Sequence, residues 1–167
     1  HIRITDDAGN SGTASETAYT LDQTAPTETF SSVDISADTG TSDSDFNTKT
    51  AAQTLTATLS AALDADDILY VSVNAGSSWA DKTSDVTTTS LSTAITLGAG
   101  TSAIHIKITD DAGNDGNADT TSYTLDTTAP TISFSSVDIS ADTGSAADDF
   151  ITKTAAQTLT GTLSAAM

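Results

Sequence analysis

The feature that most constrains this chain is that it repeats itself. Residues 19–26 read YTLDQTAP and return as YTLDTTAP at 123–130, a shift of 104 residues. The shift holds without a gap from His1/His105 to Leu63/Met167, and 47 of those 63 aligned pairs are identical. Self-similarity at one fixed spacing is the mark of tandem units rather than of biased composition. The spacing divides the chain into the C-terminal fragment of one unit (1–23), a complete unit (24–126) and the N-terminal fragment of the next (127–167). The whole is expected to be a piece of a longer array.

Within the complete unit the apolar residues recur with period two, the spacing of half-buried strands. Val33 and Ile35 flank Asp34. Leu55, Ala57 and Leu59 alternate with threonines, and Leu69, Val71 and Val73 alternate with Tyr70 and Ser72. Further on come Leu91, Thr93, Ile95 and Leu97, then Ile104, Ile106 and Ile108, then Tyr123 and Leu125. Clusters of Gly, Ser, Thr, Asn and Asp punctuate these runs, and no helical period is present. Short strands separated by turns over ~100 residues predict an all-β fold, an immunoglobulin-like antiparallel β-sandwich of about seven strands, repeated in tandem. Its expected core holds Leu55, Leu59, Leu69, Val71, Ile95, Ile106, Ile108, Tyr123 and Leu125. Residues 1–20 resemble a terminal hairpin.

The formal charge of −18, from 23 Asp and Glu against 5 Lys and Arg, opposes nucleic acid and anionic membrane as partners and favours cations. The absence of cysteine removes disulfides and thiolate metal sites. No apolar run approaches the ~18 residues of a membrane span. No Gly-x-Ser-x-Gly elbow or histidine-linked constellation is present, so no enzyme is expected.

The order TLSAALDADDILYVSVNAGSSW, IHIKITDDAGN, YTLDTTAP and VDISADTG resembles the bacterial immunoglobulin-like repeats of very large secreted adhesins, the extender modules of biofilm and RTX-type adhesins. The resemblance covers the whole chain. It implies β-sandwiches strung head to tail on the bacterial cell surface, with neighbouring repeats and calcium ions (Ca2+) as partners and no obligate oligomer. In such repeats calcium sits at loops and linkers, and the array projects a distal binding domain. Asp67 departs from the Glu often found there, but keeps a carboxylate.

Calcium takes about six to eight oxygens, so loops bearing carboxylates must converge. In a sandwich of this type the upstream end, where the chain enters, collects Asp64, Asp66, Asp67, Asp110, Asp111 and Asn114 near the linker residue Asp22. The downstream end collects Asp34, Asp38 and Asp45 near Asp126. Carboxylates kept at the same place in both copies are Asp6/Asp110, Asp7/Asp111, Asp22/Asp126, Asp34/Asp138, Asp38/Asp142 and Asp45/Asp149. Asp43, Asp115 and Asp119 pair with Ala147, Ser11 and Ser15 and read as surface charge. Turn capping by Asp is the alternative use of the kept set.

The loop DTGTSDSDFNTK lacks the glycine and terminal glutamate of a helix-flanked calcium loop. His105 has no second histidine nearby in its unit. Trp79 is expected to pack on the sandwich; as an exposed platform it would instead suit a carbohydrate- or protein-binding module, the alternative to a calcium-stiffened spacer.

Overall fold

The computed structural model describes residues 1–166. The chain is all-β and divides into two compact units, His1–Thr127 and Thr128–Met167.

In the first unit two sheets share one core. One sheet runs β1 (Phe30–Ile35), β3 (Ala52–Leu59), β7 (Ser90–Thr96), β6 (Val86–Thr87), all antiparallel. The other runs β2 (Asn47–Thr48), β9 (Asp119–Leu125), β8 (Gly100–Thr109), β4 (Ile68–Ser72), β5 (Ala80–Asp81). The alternation places one side of each strand inward: in β3, Gln53, Leu55, Ala57 and Leu59 are buried and the intervening residues are exposed. All nine expected core residues are buried, joined by Ile35, Ala57, Leu91, Leu97 and Ile104. This arrangement is consistent with a β-sandwich.

Three features differ from the sequence reading. The sheets are not wholly antiparallel, because β2 pairs parallel to β9 through Asn47↔Thr124 and Thr48↔Leu125. A two-residue strand has no period to read, so neither β2 nor β6 was legible. Residues 1–20 form no continuous strands; the expected hairpin is reduced to the bridges Ile2↔Ser15 and Thr5↔Ser11. Ile2, Ile4, Tyr19 and Leu21 lie exposed, so little apolar burial holds that hairpin together. Ser72, expected to face outward, is buried and accepts the Gly76 N–H at 2.9 Å while donating to Asn74.

β1 carries a bulge. The register steps from Ser31↔Thr58 to Asp34↔Thr56, one residue longer on β1, and Ser32 takes φ 51° to accommodate it. The loop between β1 and β2 is pinned from inside by Gln53, whose Oε1 accepts the Ala37 N–H at 2.8 Å and whose Nε2 donates to the carbonyls of Ala37 and Thr50. Those bonds satisfy backbone groups that β1 and β2 leave over where the chain crosses between sheets.

The second unit contains β10 (Phe134–Ile139) and β11 (Leu159–Leu163), an antiparallel pair. Among the described residues no helix is long and apolar enough to cross a membrane.

Candidate functional site

Two loops and a linker make the upstream end of the first unit. The loop between β3 and β4 carries Asp64, Asp66 and Asp67 and closes through the Asp67 N–H donating to the Asp64 carbonyl at 3.2 Å. The loop after β8 is held by its own first carboxylate: Asp110 Oδ1 accepts the Asn114 N–H at 2.7 Å, and Oδ2 accepts the Asn114 side-chain amide at 2.8 Å. Gly113, at φ +89°, supplies the left-handed residue that closes this turn. A second Asn114 amide contact, 3.3 Å to the Asp22 carbonyl, ties the loop to the linker. At Gly116 the constraint is space, since a Cβ there would lie 2.8 Å from the Pro26 carbonyl oxygen. Asp22 in turn accepts the Thr24 N–H at 2.9 Å, setting the bend before Pro26.

These pieces border one open cleft of about 390 Å³ lined by seven acidic residues, Asp22, Glu28, Asp64, Asp66, Asp67, Asp110 and Asp111, and, among the described residues, by no basic one. The six aspartates expected at this end therefore all border that cleft, and Asn114 joins the linker to one loop. Glu28 was missed. Its only signal was its place two residues after Pro26, and comparison of the copies discards it, because Glu28 pairs with Ile132.

The electrostatics follow from the crowding. Partial burial raises the Asp67 carboxyl above its ordinary value, and the charges of Asp64, Glu28 and Asp110 add to the rise, while a hydrogen bond from its own turn opposes it. Asp110 is shifted the other way, chiefly because the Asn114 amide hydrogen-bonds its ionised form. Asp110 is thus held as an anion beside a carboxyl that resists ionising.

A cation would remove this conflict. The donors are hard oxygens, the chemistry that calcium or magnesium takes, with no imidazole or thiolate that would favour a transition metal. In that respect the residues fit the ion that the family resemblance implies. Among the described residues no three His, Asp or Glu side chains form a ready cage, so ligation would require the loops to draw in.

The downstream end is built differently. Asp38 Oδ2 accepts the Phe46 N–H at 2.7 Å, and Asp45 Oδ1 accepts the Asn47 N–H at 3.0 Å. Both hold the loop. Phe46 sits at φ 58°, a conformation costly for a non-glycine residue, and it persists because its N–H is bound by Asp38 and its carbonyl by the Thr124 N–H. The second oxygen of Asp38 is buried without a hydrogen-bond partner. Asp34 is exposed on β1 opposite Thr56, its Oδ1 accepting the next backbone N–H. The hollow at this end, about 350 Å³, is lined by Asp126 together with Lys49, Thr39, Gly40, Asn47, Thr48 and Thr124. The structure does not bring Asp34, Asp38 and Asp45 to its lining.

On the outer face of the β4–β8 sheet, Trp79 is half-buried with its ring centroid 6.1 Å from that of His105 and the Lys107 ammonium 4.8 Å over its face. Lys107 also pairs with Asp115 at 2.7 Å, so Asp115, read as plain surface charge, positions a lysine against the aromatic ring.

No known family model matches this chain, and no curated protein matches it.

Proposed function

We propose that the chain is part of a tandem array of immunoglobulin-like units from the extender region of a large secreted bacterial adhesin, a non-catalytic spacer at the cell surface that calcium stiffens. The observation that carries this reading is the shared cleft. A carboxylate of the linker, Asp22, and carboxylates of both upstream loops border one space, so an ion bound there would tie the linker to the body of the unit. The strand orders β1-β3-β7-β6 and β2-β9-β8-β4-β5 support an immunoglobulin-like arrangement. The 104-residue repeat supports an array, and the sequence resemblance supports its setting. A sugar-binding role has less support, because Lys107 covers a face of Trp79.

Asp22, Asp64, Asp66, Asp67, Asp110, Asp111 and Glu28 are the residues that would hold the ion. Its charge would offset the burial that raises Asp67 and the neighbouring charges that add to the rise. Pro26 narrows the linker's conformations without locking them, and ligation by Asp22 would remove much of the remaining freedom. A ligand that binds only the folded form adds about 2.7 kcal/mol at a hundredfold excess over Kd.

The test is thermal melting and small-angle scattering with calcium and with chelator, for the native chain and for Asp22→Ala combined with Asp66→Ala. Calcium is expected to raise Tm and narrow the distribution of lengths in the native chain but not in the double variant. Equal Tm and length in calcium and chelator would overturn the proposal.

A further inference from the structure

Among the acidic residues of the upstream cleft that have a counterpart in the other copy, Asp22, Asp110 and Asp111 pair with Asp126, Asp6 and Asp7, whereas Glu28 pairs with Ile132. The backbone at this place is nevertheless the same in both copies. The Thr29 N–H donates to Ser60 Oγ at 3.0 Å and the Ser60 N–H to the Thr29 carbonyl at 2.9 Å. Ser133 and Ser164 make the same two bonds at 3.0 and 2.9 Å. The repeat therefore fixes where this side chain starts and leaves its chemistry free.

In the first unit that place lies between the two loops of the cleft. Pro26 is packed against Gly116, just past the loop after β8, and Ser60 opens the loop that carries Asp64, Asp66 and Asp67. Asp22, Asp64, Asp66 and Asp111 are exposed, but Glu28 is half-buried, as is Asp67. The two are close enough for the charge of Glu28 to contribute to the rise of the Asp67 carboxyl.

Resting on the calcium reading of this cleft, we propose that Glu28 sets its affinity for the ion, and that the position Glu28 occupies is where units of the repeat are tuned to lock their linkers at different calcium levels. The charge count of the surrounding oxygens is what moves such sites across decades of calcium affinity. A half-buried carboxylate is also screened less than an exposed one. Isoleucine supplies neither oxygen nor charge, so a unit carrying it holds the ion more weakly. Without the ion the sign reverses, because Glu28 then only adds one more negative charge to a crowded cleft.

The experiment titrates calcium into the isotope-labelled full chain, native and with Glu28→Gln or Glu28→Ile, and reads Kd from the amide shifts of residues 64–67 and 110–114. Glu28→Gln keeps the size and removes the charge; Glu28→Ile copies the other unit. Kd is expected to weaken by about tenfold or more in both, while Tm in chelator stays equal or rises. An unchanged Kd in both variants, weakening in Glu28→Ile alone, or a Tm lowered alike in calcium and in chelator would overturn the proposal and leave the calcium reading standing. Loop amides of the native chain that do not respond to calcium would overturn that reading and this proposal with it.

Discussion

β1 with β3 and β10 with β11 have the same registers, the same bulge and the same left-handed residues, Ser32 and Ser136, Phe46 and Phe150. Their burial differs. Leu55 is fully buried, whereas its counterpart Leu159 is 69% exposed; Ile35 and Leu59 are buried, whereas their counterparts Ile139 and Leu163 are half-buried. The upstream fragment repeats the contrast. Asp6 holds Asn10 as Asp110 holds Asn114, yet Tyr19 is 89% exposed and its counterpart Tyr123 only 2%. The hydrogen-bonded turns and the β1–β3 pairing therefore recur with or without a full core beneath them, whereas residues 1–20 keep only two bridges in place of the β8–β9 pairing. Their stability does not carry over, because apolar burial, the dominant favourable contribution, is much smaller in one copy than in the other.

The sharpest way to break that comparison is to truncate the two leucines. Leu55→Ala is expected to cost about 2–5 kcal/mol through lost burial and a cavity, and Leu159→Ala no more than about 0.5 kcal/mol, both read from denaturant unfolding. Equal costs would mean that the second unit is covered in solution. Next is Gln53→Leu, which leaves the Ala37 N–H and the Thr50 carbonyl without the Gln53 side chain, while the Ala37 carbonyl keeps the Thr48 hydroxyl. About 1–3 kcal/mol is expected, and less for Gln157→Leu, because Gln157 is half-buried where Gln53 is buried. Comparable losses would show that the loop bonds, rather than the core, set the stability of each copy.

The smallest effect concerns charge. Asp67 has a folded pKa raised above its unfolded value, so stability falls as pH rises through the window between the two values and stays lower above it. Without cation, Asp67→Asn is expected to stabilise the protein at pH 7 by a few tenths of a kcal/mol after solvent screening. The gain should disappear below the unfolded pKa, and calcium should reverse its sign if Asp67 is a ligand. Melting from pH 3 to 8, with and without calcium, measures both. A gain independent of pH would remove Asp67 from the electrostatics of the cleft.

The strands of the complete unit could be read because each has a period of two and one buried face, so that β3, β7 and β8 needed only a few residues to declare their orientation. The turn carboxylates could be recognised as a class but not sorted. Asp38, Asp45 and Asp110 each make bonds within ten residues of themselves, which any short stretch can encode. Whether a carboxylate also faces others is a matter of distance between loops far apart in the chain. That is why Glu28 joins the upstream cleft unannounced, Asp34 stays out on β1, and Lys49 stands at the downstream hollow.

The sequence by itself determined the repeat, the strand faces and the turns, since side-chain alternation and local hydrogen bonds act over a few residues. Only the tertiary structure decided that β2 crosses to run parallel with β9, that Ser72 is buried, and that Asp22 meets the Asp64–Asp67 and Asp110–Asp111 loops. Burial and Coulomb interaction depend on separation in space, and the separation of residues 22, 64 and 110 is set by how two sheets close on one core.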